Sequence, residues 1–244
     1  MNWTLKINSR NVLRFLLCMV AAIAILNVLW QFLYVFFDDK IFFISTIAWW
    51  FNMDYEGTIP SAYSSLMLLV CAFLLGLVAF KKLSLSDKFA RHWVFLSGLF
   101  AFASWDEATQ IHEKLIYSDS IVDLLPTLGI EQSGAFAFGF WTIFVMPIIF
   151  LIGLFYIKFF FSLPKKQRRL FLMGIVLFLS GAIATELVNS WIWDTMGRDM
   201  EAIPYILSTT VEETLEKLGV TVFIYALLDY LEQLGNINVK FDSK

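Results

Sequence analysis

Six apolar runs constrain this chain more than any other feature. They lie at approximately residues 12–37, 60–80, 93–116, 134–161, 170–193 and 205–230. Crossing about 30 Å of hydrocarbon takes about 20 mainly apolar residues in a helix, and each run reaches that length. In lipid each backbone N–H and C=O must find its partner within the protein, and a helix does this inside its own segment. The expected fold is therefore all-α, a polytopic six-helix transmembrane bundle forming a single integral membrane domain over residues 1–244. Lys6, Arg10 and Arg14 stand before the first run as they would in a signal peptide. That run is too long for a cleaved segment, so it is read as a retained helix. A further stretch, IFFISTIAWWF at about 41–51, is too short to span and sits between Asp38, Asp39 and Asp54. It reads as a short helix lying in the outer interface.

Composition agrees. Of 244 residues, 59% are hydrophobic and 16% charged, with mean hydropathy +0.71. Soluble domains are about half apolar and about a quarter charged. Too little polar surface remains for a soluble enzyme or a disordered chain. The net charge of −3 offers no basic footprint for phosphates, which leaves no nucleic-acid partner. Cys18 and Cys71 sit inside apolar runs and read as small packing residues rather than thiolate ligands.

Positive charge sets the orientation. With both termini cytoplasmic, fourteen of the 18 Lys and Arg fall in inner segments, and only Lys40 and Arg198 fall in outer loops. The expected location is the plasma or inner membrane, crossed several times with N- and C-termini inside.

Three of the runs carry carboxylates at membrane depth: Asp106, Glu107 and Glu113 in the third, Glu186 in the fifth, and Glu212, Glu213 and Glu216 in the sixth. An ionised group at the bilayer centre costs on the order of 2.5–3.5 kcal/mol, so these groups are expected to face one another, water or a cation. At 1.5 Å per residue, all three sets fall in the outer half of the membrane. Helical phase puts Asp106, Thr109, Gln110 and Glu113 on one face, with Glu107 and His112 at its flanks. Glu186, Asn189 and Ser190 share a second face, and Ser208, Glu212 and Glu216 a third. One pocket lined by these three faces is the expectation. Glu213 and Lys217, four residues apart, read as a structural ion pair beside it.

The segments EGTIPSAYSS, SWDEATQIHEKL and VEETLEKLG resemble an uncharacterised family of prokaryotic multipass membrane proteins. The resemblance covers most of the chain and implies no activity, cofactor or substrate. It does imply that Glu56, Tyr63, Ser64 and Ser65 belong near the same outer pocket.

Carboxylates this close need neutralising, by shared protons or by a cation. The donor set suits a divalent ion (Mn, Fe, Mg, Ca or Zn) held by His112, Glu113, Glu186, Glu212 and Glu216. Three functions follow from these alternatives. The first is a metal- or carboxylate-dependent, hydrolase-like membrane enzyme acting on a lipid or amphipathic small molecule. Asp106, Glu107, Glu113, Glu186 and Glu212 would be its catalytic candidates. The second is a proton- or cation-coupled transporter, and the third a non-enzymatic or ligand-binding membrane subunit, with oligomerisation open in each case.

Overall fold

A computed structural model describes residues 8–37 and 42–235, with the side chains of Phe42, His112, Glu113 and Ile116 outside the described set. Among the described residues the chain is helical, with no strand. Helix α1 (Ser9–Phe37) is followed by α2 (Phe42–Phe51), α3 (Ile59–Ser84) and α4 (Ala90–Thr109). Two short helices, α5 (Ile111–Ile116) and α6 (Asp119–Val122), lead through 3-10 turns into α7 (Thr142–Ser162). A long rod then runs from α8 (Lys165–Leu179) through a π-helical segment (Ser180–Thr185) into α9 (Glu186–Thr195), and α10 (Ile203–Gln233) closes the chain.

Among the described residues, four helical stretches are long and apolar enough to cross a membrane: Ser9–Phe37, Ile59–Ser84, Gly139–Ser162 and Lys165–Thr195. The remaining long helices, α4 and α10, are the ones that carry Asp106, Glu107, Glu212, Glu213 and Glu216. Packing explains how α10 bears its charges. It lies at the centre, against α1, α3, α8, the π segment and α9, and is buried at intervals from Tyr205 to Leu231. A helix enclosed by protein need not be apolar all round.

Two expectations about the elements are corrected. The third run is not one helix: Gln110 takes a left-handed conformation (φ 57°, ψ 35°) and ends α4, so α5 starts on a new axis. The fourth run becomes helical only at Thr142, after short 3-10 turns. The 42–51 helix forms where the short helix was expected. It turns back along α1, where Gln31 Nε2 donates to the Ala48 carbonyl (2.8 Å) and Asn27 Oδ1 accepts from the Met53 N–H (3.1 Å). Buried Asn27 also donates to Thr210 Oγ1 (2.8 Å), so one side chain ties α1, the end of α2 and α10.

At the other end of the bundle, Ser9 donates to Glu232 and Lys166 pairs with Asp229. Lys82 lies 5.6 Å over the Tyr230 ring. The start of α1, the end of α10 and the α3–α4 and α7–α8 turns therefore share one end, here called the basic end. Asp87 shapes the α3–α4 turn, accepting from Phe89 N–H (2.8 Å) and Lys82 Nζ (2.9 Å). Burial pushes this carboxyl up, but the Phe89 N–H and the Lys82 and Lys88 charges outweigh it and hold it below the usual aspartate range. Its contribution to stability is thus full above the unfolded value, about 3.9, and is lost as pH falls through the lower folded value. Acid melting curves of wild type and Asp87→Asn should converge as that group protonates; curves that stay parallel would remove Asp87 from the turn.

Candidate carboxyl cluster

The site begins with the row that α4 turns toward α10. Trp93 stacks on Tyr230 (centroids 5.5 Å apart), Phe100 stacks on Phe223 (5.0 Å, planes 5° apart), and Glu107 lies within electrostatic reach of Glu216. Steps of seven outward along α4 meet steps of seven in reverse along α10, which keeps one face of each helix toward the other. Aromatic pairs fill two rungs, and the third is a pair of carboxyls.

Beside that row the long rod approaches α10 closely enough to leave little room for side chains. A methyl at Gly219 would lie 2.7 Å from the Phe178 backbone nitrogen and 2.8 Å from the Gly174 carbonyl. One at Gly181 would lie 2.7 Å from Glu216 Cγ and 2.8 Å from the Glu212 carbonyl. Gly181 belongs to the π segment, whose wider turn shifts the phase of every residue after it. Glu186 and Asn189 follow directly and arrive at α10.

Here the carboxyls meet. The Glu186 and Glu212 carboxyls lie within hydrogen-bonding reach of each other, and Glu186 accepts from Trp141 Nε1 (2.6 Å). Asn189, fully buried, donates to Glu212 and accepts from Ser208. Glu216 feels Glu213, Lys217, Glu107 and Glu186. Lys217, 2% exposed, pairs with Glu213. Five glutamates and one lysine from α4, α9 and α10 therefore form a single cluster, walled by Trp141 and Asn189.

This sorts the expected residues. Glu186, Glu212 and Glu216 converge as the depth argument required. Glu107, expected at a flank, is the α4 residue that faces the cluster. Asp106 is half-buried and turned about 100° round the helix from the Trp93–Phe100–Glu107 row. Thr109 and Gln110 end α4, so the single face drawn through Asp106, Thr109, Gln110 and Glu113 does not survive the break. The side chains of His112 and Glu113 lie outside the described residues. Ser190 serves the loop instead: its Oγ accepts from Phe138 and Gly139 N–H and donates to the Gly134 carbonyl. Of the residues opening α3, Ser65 exchanges hydrogen bonds with Ser104 on α4. Asp54, just before α3, accepts from the Tyr205 hydroxyl (3.0 Å).

Sequence reasoning missed Trp141, because a tryptophan at a helix start reads as an interfacial anchor. It also left out Asp229, buried at the basic end with Lys166, Gln167 and Gln233 around it. The heptad steps 93–100–107 and 216–223–230 were the available signal for Glu107.

Among the described residues no group of three His, Cys, Asp or Glu is arranged to hold a metal ion. The glutamates are instead engaged by N–H and O–H donors and by an ammonium group. A family model for a domain of unknown function (DUF8692) matches residues 12–231. The chain belongs to that family. The match runs from α1 to the end of α10 and includes every residue of the cluster. No curated protein and no solved structure matches the chain.

Proposed function

We propose that this chain is a six-span protein of the plasma membrane with both termini in the cytoplasm, and that its carboxyl cluster binds and releases protons to drive coupled transport. The observation that carries this reading is the approach of the Glu186 and Glu212 carboxyls to within hydrogen-bonding reach. Two ionised carboxylates this close repel each other, and a proton held on one of them turns the repulsion into a hydrogen bond. Such a pair stores one exchangeable proton, and the other carboxyls and Lys217 around it are electrostatically coupled to its occupancy. Ionisable groups inside a membrane bundle mark ion and proton pathways.

Placing α4 and α10 across the bilayer with the four apolar rods gives six spans. The gathering of Lys82, Lys166 and Arg10 at the end that holds Ser9 and Glu232 supports putting that end in the cytoplasm. The metal-dependent enzyme receives less support, because Lys217 already supplies a cation and Asn189, Ser208 and Trp141 already occupy carboxyl and amide acceptors.

In liposomes enclosing a pH-sensitive dye, wild-type protein should move protons in response to an imposed voltage, and Glu212→Gln should abolish the movement. Purified protein should contain no stoichiometric Mn, Fe, Mg, Ca or Zn. A stoichiometric metal that is lost in Glu212→Gln would establish the metal reading in place of this one.

A further inference from the structure

The face of α10 that meets α1 is fixed by two hydrogen-bonded contacts, Asn27 with Thr210 and Ser9 with Glu232. Between these contacts the same line of α10 carries Thr214, Lys217, Thr221 and Tyr225. At 100° per residue all of them fall within about 80° of arc. On α1 the face that holds Asn27 carries buried Val20 and Ile23 over the same stretch. A polar seam on one helix thus runs against an apolar stripe on the other, from the cluster to the basic end.

The seam's middle is the informative part. Thr221 is 0% exposed, and its Oγ1 has no hydrogen-bond partner among the described residues. A threonine in a helix ordinarily bonds back to its own backbone or to a neighbour, and an orphaned buried hydroxyl calls for an explanation. Above it Lys217 is paired with Glu213, next to Glu216. Below it Tyr225 lies within electrostatic reach of Lys166, as does Arg10, and Lys166 is paired with Asp229. Asp229 also accepts from Gln167 and Gln233.

We infer that this seam is the route by which protons reach the carboxyl cluster from the basic end of the bundle, through Tyr225, Thr221 and the Lys217–Glu213 pair. The inference rests on the proton-handling reading and gives that site its connection to one side of the membrane. A proton entering at Asp229 displaces one along the seam. Each hydroxyl accepts one proton as it gives up another, and Lys217 hands one to Glu213 and is refilled from the Thr221 side. The net change is one proton lost by the solvent and one gained by a cluster carboxylate. Four helical residues rise about 6 Å, more than one hydrogen bond spans, so the route requires a bridging water between successive groups.

The test uses the full chain in dye-loaded liposomes, with infrared spectra of the same samples to follow the protonated carboxyl that Glu212 contributes. Thr221→Val and Tyr225→Phe should each slow proton movement by roughly an order of magnitude. Thr221→Ser should restore it, and the carboxyl band should persist in all three variants. Wild-type rates in Thr221→Val and Tyr225→Phe would overturn the route while leaving the cluster reading intact. Loss of the band along with the movement would assign these residues a structural role and also overturn the route. Wild-type protein that moves protons no faster than protein-free liposomes would overturn the route and the reading together.

Discussion

Replacing Lys217 with alanine is expected to destabilise the protein by about 3–5 kcal/mol, the usual effect of removing one partner from a buried ion pair. Lys217 is 2% exposed near the middle of α10, and its partner Glu213 retains only 27% of its side-chain exposure. Without the ammonium, Glu213 and Glu216 would face each other across a space from which their cation has been removed. The effect belongs to the unpaired charge rather than to a large gain from the pair itself. The double substitution Lys217→Met with Glu213→Leu should therefore recover most of the loss, since apolar replacements of buried pairs are often neutral or stabilising. Unfolding can be followed by the reactivity of Cys71, a fully buried free thiol, in a Cys18→Ser background. A Lys217→Ala protein that melts with wild type would place this lysine in contact with solvent.

Gly219→Val should be comparably damaging for a different reason. The close approach of α8 to α10 leaves a side chain at 219 facing the Phe178 nitrogen and the Gly174 carbonyl, both backbone atoms that cannot swing aside. Overpacking of a tight interface costs about 1–3 kcal/mol and more where backbone must move, so the rod would be pushed from α10. Gly181 lies on that same rod, and its separation from α10 would carry Glu186 and Asn189 away from Glu212. Gly153→Ala is the matched comparison: nothing lies within 4 Å of its added methyl, and a helix-interior alanine should raise stability by about 0.5–1 kcal/mol. Thermal melts of the two variants should therefore move in opposite directions. Equal shifts would mean that glycine packing does not hold the rod.

Much of this arrangement was readable from residue order, for reasons that can be named. Helices α1, α2 and α3 match their apolar runs closely because composition alone decides whether such stretches leave water. The convergence of Glu186, Glu212 and Glu216 was readable because depth along a helix follows from a fixed rise per residue. What was not readable depended on local backbone choices. Gln110 adopts a left-handed conformation with no glycine to announce it, and that residue decides where the third run stops being one helix. The π segment at Ser180–Thr185 adds a phase shift that a regular helical wheel does not contain. The choice of Glu107 over Asp106 depends on which neighbour α4 turns toward, and side-chain polarity could not settle that. Trp93 and Phe100 could have, since they set the row on which Glu107 is the next step. The centrality of α10 was hidden for a similar reason: six runs of similar length look equivalent until one of them is seen packed against α1, α3, α8 and α9.

The central claim is that Glu186 and Glu212 share a proton inside the bundle. Infrared spectroscopy of the purified full-length protein near neutral pH tests it most directly, because a protonated carboxyl has a C=O stretch well separated from that of a carboxylate. Wild-type protein should show such a band. It should disappear in Glu212→Gln and in Glu186→Gln, and it should survive in Glu131→Gln, which alters an exposed loop residue far along the chain from either. A wild-type spectrum with no protonated carboxyl near neutral pH, or a band that persists in both cluster variants, would contradict the account.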